Sequence, residues 1–498
     1  MTASAPSISS RLRNIFWPIH RHELGKFVPM SALMFCVLFN QNILRILKDS
    51  IVIAEISAEV TSFTKVYCVT PAAILFVVIY AKMLNHLSFE RIYYYLLAFF
   101  VSFFILFAFV IYPNVDLFHM DSGRMNELMT LHPHFKWYVP LVGNWSYIIF
   151  YVLSELWPNI FYILLFWQFA NEITTTEEAR RFYTLFSLFG NSALIFVGLL
   201  MMNLASETSI LKQYFEGTEN KIALVQSSVV LVVIGGLFAG LLVRFVCKNV
   251  MTDPSLYSRA KKERSTEPKL GVVDSFKYIV RSKYLWLMLI CSAAFGLTAN
   301  LVEAVWKAKI KELYSTVNAY AEFSSLYILW TGVAIMVMTI IGNHIMRNHS
   351  WFVAAVISPI IIVVTGSLFF ILVVFDQQVL SWFDGAMLMT PLALAVSIGA
   401  IQNILAKGTK YSIWDTSQAM LYIPLDNELR TKGKAAVDVV SSKIGKSSSG
   451  LIQSVLFMIF PSATYTSISP ILMVVFVVVC FMWIYAVRKI YNEYQKIV

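Results

Sequence analysis

Hydrophobic residues in this chain are grouped in long runs, which are separated by short polar stretches that carry most of the charge. Each run holds roughly 20 mostly apolar residues, the length that an α-helix needs to cross the hydrocarbon core of a bilayer. Helices are expected because an open sheet cannot satisfy its backbone hydrogen bonds in lipid. The pattern predicts twelve spanning helices, at 28–48, 64–83, 92–112, 142–168, 182–203, 225–246, 284–306, 323–345, 351–375, 386–406, 446–463 and 468–488.

The runs form two sets of six, because a long basic segment rich in helix-breaking residues separates the sixth run from the seventh. The chain is therefore divided into an N-terminal tail (1–27), a six-helix bundle (28–246), a linker (247–283), a second six-helix bundle (284–488) and a C-terminal tail (489–498). Two bundles that rock about a central site are the layout of major-facilitator transporters. By analogy of layout, the predicted fold class is an all-α polytopic membrane protein with major-facilitator-like bundles.

Composition supports this fold class, and the charge distribution adds an orientation. Of 498 residues, 58% are hydrophobic and 14% are charged, whereas soluble domains carry about 25% charged residues. The net charge of +10 lies mostly in alternate loops, including a second basic segment that we predict as a loop at 407–446. This positive-inside pattern predicts cytoplasmic termini and a cytoplasmic linker. We expect the lipid bilayer, and no nucleic acid, as a partner.

Charges interrupt the first run in the segment LRILKDSIVIA, which extends from Leu44 to Ala54. One face of the predicted helix carries five polar residues at helical spacing, namely Gln41, Asn42, Arg45, Lys48 and Asp49. One interpretation is that this face turns toward a cavity or a partner helix. The alternative is that its long basic side chains snorkel to the membrane interface at the end of the helix. We favour the cavity, because the apolar sequence resumes at Ile51.

Glu155 is the only charged residue between Trp137 and Asn171. It therefore lies near the middle of a span, where an ionised carboxylate costs about 2.5–3.5 kcal/mol on insertion scales. Pro158 is expected to kink the helix and to free backbone carbonyls beside it. A protonated or paired structural carboxylate is the alternative, and we favour a functional role.

Glu303 lies nearer the end of its span, so functional and structural roles are equally compatible with it. The residues that follow, Lys307, Lys309 and Lys311, are expected to form a basic cluster on the outer side, with Trp306 as an interface anchor.

Lys446 lies in SSKIGKSSSGLIQS, where the second basic segment enters the eleventh span. A nucleotide-binding P-loop is excluded, because Val440 occupies the position of its first glycine and no strand precedes the helix. A lysine and small hydroxyl side chains at a helix N-terminus still favour an anion.

These residues predict a site for a polyanionic solute. Cations of the first and eleventh spans would converge from opposite bundles, since Lys and Arg are the usual phosphate ligands. Glu155 and Glu303 would pair with them in the empty site. Three aromatic residues near Glu155 are predicted either to stack on a base or to pack the helix, namely Trp157, Phe161 and Trp167. The histidines are dispersed and no acid–base or metal-binding cluster is evident, so we expect no metal, no cofactor and no enzymatic activity.

Long strings in these regions resemble the ATP/ADP translocase family of obligate intracellular bacteria and plastids. The resemblance covers nearly the whole chain and rests on LRILKDS, SELWPNIFYILLFWQFANEIT, ANLVEAVWKAKIKELY, IQNILAKGTKYSIWD, MLYIPLDNELRTKGKAAVDVV and GKSSSGLIQS. It implies exchange of nucleoside tri- and diphosphates across a cell inner membrane by alternating access. It also implies transport roles for Lys48, Glu155, Glu303 and Lys446, and a base contact for Asn191. We expect a monomer.

Departures from the family pattern leave the base undecided. Ser448 and Ser449 stand where family members commonly have two glycines, KYSIWD stands where they often have KYSLFD, and Ala304 stands in place of glycine. A carrier specific for guanine or pyrimidine nucleotides, a uniporter, and a proton symporter titrating at Glu155 are alternatives. An enzyme acting on lipid phosphates would need catalytic groups that the sequence does not offer.

Overall fold

The computed structural model describes residues 17, 19–206, 219–253, 256–257, 282–382, 389–425 and 434–496, which contain helices and no strand. Eleven helices in these ranges are long and apolar enough to cross a membrane, and a further helix contains the shorter apolar stretch Ser447–Ile459. The twelve are α1 (Arg21–Glu55), α2 (Ala58–His86), α3 (Phe89–Phe118), α4 (Trp145–Ile173), α5 (Glu177–Ala205), α6 (Asn220–Val250), α7 (Lys283–Leu313), α8 (Val317–Asn348), α9 (Trp351–Val374), α10 (Pro391–Met420), α11 (Lys434–Ile459) and α12 (Tyr465–Tyr494).

The all-helical fold and the order of the spans are confirmed, but several helices extend beyond their hydrophobic runs. The largest difference concerns the segment 407–446, which we predicted as a basic loop: α10 continues to Met420 and α11 begins at Lys434. Hydropathy ends a span at its first cluster of charges, whereas an α-helix can continue through charged residues, as α12 does at Arg488 and Lys489. The linker that we predicted at 247–283 lies largely outside the described residues.

Each bundle is built around its first helix. In the first bundle, α1 packs against α4, α5 and α6, and in the second bundle α7 packs in the same way against α10, α11 and α12. The two bundles meet along two further pairs, α5 with α8 and α2 with α11. The helices α1 and α7 are therefore the central elements of the fold, and polar residues on them face the junction of the bundles.

Ion pairs between helix ends define two faces of the molecule. Lys26 near the start of α1 lies 2.8 Å from Glu178 near the start of α5, and Lys283 at the start of α7 lies 2.7 Å from Glu493 near the end of α12. We call this side the N face, since α1 begins there. At the far face, Lys311 of α7 donates a 2.8 Å hydrogen bond to the carbonyl of Ile56, which follows α1.

A buried polar cluster closes the junction of the bundles near the far face. Ser62 of α2 bonds to Gln453 Oε1 of α11 at 2.6 Å, and Tyr465 OH donates to the same oxygen at 2.9 Å. The two helices approach closely at Gly450, where a Cβ atom would lie 2.8 Å from Val66 Cγ2. We call Ser62, Gln453 and Tyr465 the far-face cluster.

A second close approach fixes the position of α7 within its bundle. Trp306 is buried, and its indole N–H donates a 2.8 Å hydrogen bond to the carbonyl of Val396 on α10. Gly399 leaves room for the ring, because a Cβ atom at this position would lie 2.2 Å from Trp306 Cδ1. Trp306 is thus a packing residue of the bundle, and our expectation of an interface anchor is wrong.

We predict that Gly399→Ala destabilises the protein, because the added methyl group displaces the indole ring. Overpacking of this kind costs about 1–3 kcal/mol, which exceeds the gain of about 1 kcal/mol in helix propensity from glycine to alanine. Thermal unfolding of the purified protein in detergent measures the effect. Gly408→Ala on the same helix is the control, since the tightest contact of its methyl group is the flexible side chain of Met338 at 3.2 Å and the backbone of Ala334 lies at an ordinary 3.6 Å. Equal melting temperatures for the two variants would contradict the prediction.

Candidate functional site

Asp49 of α1 lies between two lysines that come from different bundles. Its Oδ1 atom is 2.8 Å from Nζ of the adjacent Lys48, and its Oδ2 atom is 2.8 Å from Lys307 Nζ on α7. The exposed fractions of the side chains are 4% for Lys48, 7% for Asp49 and 8% for Lys307. Charges buried to this extent need partners of opposite sign, and all three have one.

Both lysines hold a second carboxylate as well. Lys48 Nζ lies 2.9 Å from Glu155 Oε1 on α4, and Lys307 Nζ lies 3.0 Å from Glu303 Oε1, one turn earlier on α7. The same Glu303 oxygen accepts a 3.3 Å hydrogen bond from the Arg45 guanidinium on α1. The bond between Arg45 and Glu303 joins the two bundles a second time.

The six groups form one continuous series of alternating charge, which we call the charge chain: Arg45, Glu303, Lys307, Asp49, Lys48 and Glu155. Three cations and three carboxylates balance, so the series is neutral by itself. It crosses between the bundles twice, at Arg45 with Glu303 and at Lys307 with Asp49.

Helical spacing produces this order of charges. Arg45 and Asp49 are four residues apart on α1 and so share a face, as do Glu303 and Lys307 on α7. When these two faces meet, each cation is presented to a carboxylate of the opposite helix. The prediction that the polar face of α1 turns inward is supported by these contacts.

The helix that carries Glu155 changes its geometry immediately after that residue. The segment Pro158–Phe166 is a π-helix, which is frequent at functional sites in α-helices. Because Pro158 has no N–H, the backbone carbonyl of Ser154, one turn earlier, loses its α-helical donor. The side-chain amide of Asn159 donates a 3.1 Å hydrogen bond to the next carbonyl along the chain, that of Glu155.

Accessibility of the charge chain increases toward the N face. Its centre, at Asp49, is nearly inaccessible, whereas the side chain of Arg45, one turn closer to the N face, is 28% exposed and that of Glu155 is 30% exposed. The far-face cluster lies on the other side of the charge chain. A solute therefore reaches the charges from the N face in this conformation.

Two further lysines, which the sequence analysis did not single out, face the same charges. Lys65 on α2 interacts electrostatically with Lys307 and Glu303. Lys407 on α10 interacts electrostatically with Arg45 and Glu303, and its Nζ donates a hydrogen bond to Tyr327 OH. We had assigned Lys407 to a loop, and Lys65 stands at the polar start of a hydrophobic run, so neither stood out as a charge within a span.

The backbone of Lys446 belongs to α11, but its side chain lies outside the described part of the structure. The adjacent Gly445 is buried, and a Cβ atom there would lie 3.0 Å from the carbonyl oxygen of Ala293 on α7. Position 446 is thus on the stretch of α11 that packs against α7. Its contribution to the site stays a prediction.

Asn191 lies toward the N face from the charge chain. Its amide donates a 2.8 Å hydrogen bond to the carbonyl of Ser187 on its own helix. The neighbouring Gly190 packs against Met34 and Leu38 of α1, and Leu38 is about 10 Å along the helix axis from Arg45. The structure does not bring Asn191 into the charge chain, and its role as a base contact stays a prediction.

The predicted outer basic cluster at the end of α7 does not form. Lys307 points into the charge chain, Lys309 pairs with Glu312 at 2.8 Å, and Lys311 donates to the carbonyl of Ile56. Successive odd positions of a helix point about 200° apart, so these three lysines reach different surroundings. The sequence signal that distinguishes the buried Lys307 from the other two lysines is its i,i+4 spacing from Glu303.

The aromatic residues after Glu155 serve mainly as packing. Trp157 is buried and donates a 3.2 Å hydrogen bond to the carbonyl of Val37, and its ring centroid lies 4.2 Å from that of Phe161. A different ring, that of the buried Tyr151, lies 4.2 Å from Lys48 Nζ. This cation–π contact adds to the carboxylates that hold Lys48.

Two packed six-helix bundles with a polar site between their central helices are the architecture of major-facilitator transporters. Solved structures agree on the fold. A bacterial homologue of the iron transporter ferroportin in an inward-facing state superposes with a TM-score of 0.59 at 12% identity, over 94% of this chain and 100% of that one. The nucleoside transporter NupG superposes with a TM-score of 0.51 at 13% identity, over 92% and 98% of the two chains.

Sequence comparison identifies the family. The TLC ATP/ADP transporter family matches residues 3–494, and the chain belongs to this family. It is 71% identical to ADP,ATP carrier protein 5 of Rickettsia bellii over 100% of this chain and 99% of that protein. It is 70% identical to ADP,ATP carrier protein 5 of Rickettsia prowazekii, with the same coverage, and 41% identical to ADP,ATP carrier protein 1 of Rickettsia bellii, again over 100% and 99%.

We predict that Asp49→Asn strongly destabilises the protein, because Lys48 and Lys307 lose their shared buried partner. Breaking a buried ion pair costs about 3–5 kcal/mol, which thermal unfolding in detergent detects. The double variant Asp49→Asn/Lys307→Met is expected to recover part of the loss, since it leaves the balanced pairs Arg45 with Glu303 and Lys48 with Glu155.

The control for this prediction is Glu127→Gln. It breaks an exposed pair with Arg124, in which the side chains are 55% and 61% exposed, and surface pairs contribute at most about 1 kcal/mol. If Asp49→Asn unfolds at the same temperature as Glu127→Gln, the charge chain does not contribute to stability.

Proposed function

We propose that this protein exchanges nucleoside triphosphates for nucleoside diphosphates, of the ATP/ADP type, across the inner membrane of the cell by alternating access. Membership of the TLC ATP/ADP transporter family and the names of the Rickettsia relatives support the substrate class. The observation that carries the proposal is the charge chain, in which three cations at the junction of the bundles are held by carboxylates.

Phosphate groups bind to the same cations that the carboxylates hold. Arg45 and Lys48 are the members closest to the accessible side, and charge-assisted contacts to phosphate oxygens are stronger than those between neutral groups. A bound polyphosphate takes over the contacts of Lys48 with Glu155 and of Arg45 with Glu303. The carboxylates thus occupy the cations in the absence of the nucleotide and release them in its presence.

This competition couples binding to the movement of the bundles. The contacts of Arg45 with Glu303 and of Asp49 with Lys307 hold α1 and α7 together near the far face. When phosphates weaken these contacts, the far-face side loses part of its attraction and the alternative, far-face-open conformation gains population. Lys446 and Asn191, which lie on α11 and α5, extend the site to the terminal phosphate and to the base.

Orientation follows from the distribution of basic residues. Cytoplasmic termini place the N face in the cytoplasm, so the accessible side of the charge chain in this conformation is the cytoplasmic side. The protein acts as a monomer, because each chain contains both bundles and therefore a complete site.

Uptake of labelled ATP into proteoliposomes that contain this protein is expected to require ADP or ATP inside the vesicles. The reason is that movement of the bundles depends on the bound anion. The measurement compares initial uptake rates into nucleotide-loaded and empty vesicles.

Three outcomes separate this proposal from the alternatives. Equal uptake into loaded and empty vesicles would indicate a uniporter, and a rate that rises at acid pH would indicate a proton symporter. Competition by a panel of nucleoside di- and triphosphates identifies the base, and stronger competition by guanine or pyrimidine nucleotides would replace the adenine assignment. Turnover of lipid phosphates, followed by thin-layer chromatography, would instead indicate an enzyme.

Variants of the predicted contact residues test the site itself. Lys48→Ala and Lys446→Ala are each expected to raise the KM for nucleotide by about tenfold or more, which corresponds to about 1.4 kcal/mol for a lost phosphate contact. Glu155→Gln is expected to slow exchange while the protein stays folded, since Lys48 keeps Asp49 as a partner.

Lys283→Ala is the control for these variants, because Lys283 is exposed at the N face and pairs there with Glu493. Exchange kinetics are measured in proteoliposomes with equal amounts of folded protein, as judged by size-exclusion chromatography. Normal exchange by all three site variants would remove these residues from the site.

A further inference from the structure

Lys65 and Lys407 approach the charge chain from opposite bundles, and neither has a carboxylate partner among the described residues. Lys65 Nζ makes no hydrogen bond or ion pair with any of them. The described partner of Lys407 Nζ is the neutral Tyr327, whose hydroxyl accepts a hydrogen bond and whose ring centroid lies 4.8 Å away. Both lysines interact electrostatically with Glu303 and Lys307, so they share one electrostatic environment.

Two neighbouring lysines, in contrast, have carboxylate partners. Lys410, one turn after Lys407 on α10, lies 3.0 Å from Asp415. Lys309, which follows the charge chain on α7, lies 2.8 Å from Glu312. Carboxylates therefore neutralise these two neighbours, whereas Lys65 and Lys407 have no such partner among the described residues.

Counted over the described residues, the empty site consequently carries a net positive charge. The charge chain contributes three cations and three carboxylates, and Lys65 and Lys407 add two cations that have no carboxylate partner in the described part of the chain. Water and counter-ions from the N face screen this charge in the present conformation. Screening is lost when the bundles close around the site, and repulsion between like charges increases as the effective dielectric constant falls.

We infer that Lys65 and Lys407 make exchange obligatory, because they prevent the empty transporter from closing and returning. A nucleotide polyphosphate supplies the missing negative charge, so the loaded site closes without this penalty. The inference rests on the proposed function and identifies the residues that couple the two directions of transport. It differs from the role of the charge chain, whose cations already have partners in the empty protein.

The test replaces both unpaired lysines by methionine, which keeps the length of the side chain and removes the charge. Labelled ATP uptake into proteoliposomes is measured with and without internal ADP, and the ratio of the two rates is the readout. In Lys65→Met/Lys407→Met we expect this ratio to fall by about tenfold relative to wild type, through faster uptake into empty vesicles, because removal of repulsion shifts the conformational equilibrium of the empty protein. The uptake ratios of the two single variants are expected to lie between those of the wild type and the double variant.

Lys82→Met is the matched control, since Lys82 lies on α2 as Lys65 does but is exposed near the N face. Its ratio is expected to equal that of the wild type. A second readout is thermal stability in detergent without nucleotide, which is expected to rise in the double variant. Stabilisation by added ATP is expected to become smaller, since fewer cations bind the nucleotide.

The outcomes separate this inference from the proposed function. If the wild type exchanges nucleotides and the double variant keeps the wild-type ratio, the inference is wrong and the proposed function stands. A folded double variant that transports into neither kind of vesicle also overturns the inference. If the double variant does not fold, the uptake ratios of the two single variants decide in its place. Absence of exchange by the wild type would instead overturn the proposed function.

Discussion

Burial of charge at the junction of two helical bundles determines how this structure is assembled. An isolated ion in a medium of low dielectric constant is costly, and removal of one partner of a buried pair costs about 3–5 kcal/mol. Asp49 meets this requirement for two lysines at once, one on its own helix and one on α7. The relative rotation of α1 and α7 is therefore set by the need to bring these faces together, and the surrounding helices pack around that arrangement.

Closure of the far face and neutralisation of the site depend on the same contacts. Two ion pairs connect the bundles, Asp49 with Lys307 and Arg45 with Glu303. Both lie on the N-face side of the far-face cluster. An anion that enters from the N face reaches the charges before it reaches the far-face cluster. In the proposed mechanism, binding thus acts first on the electrostatic contacts, and the uncharged hydrogen bonds behind them open once attraction between the bundles is reduced.

The sequence predicted the spans and one side of the site, but not the pairing between the bundles. Hydropathy located the helices, and the polar face of α1 and the isolated Glu155 stood out because charge within a span is rare. Lys307 was wrongly placed in an outer cluster, because its run appeared to end at Trp306. Lys407 was hidden in the same way within a segment predicted as a loop. Hydropathy treats charges as the end of a span, whereas tertiary contacts decide whether they face water or other charges.

Recognition of phosphate and recognition of the base are separate tasks in this architecture. In the proposed function, the charge chain, Lys65 and Lys407 bind the polyphosphate, which all nucleoside triphosphates share, so these groups cannot discriminate between bases. The aromatic residues beside Glu155 are occupied in packing, as the contact of Trp157 with Phe161 illustrates. In the proposed function, base selectivity therefore arises closer to the N face than Arg45, and we propose Asn191 on α5 as a contact of the base. Relatives that keep the charge chain and differ at that level would transport different nucleotides by the same movement of the bundles.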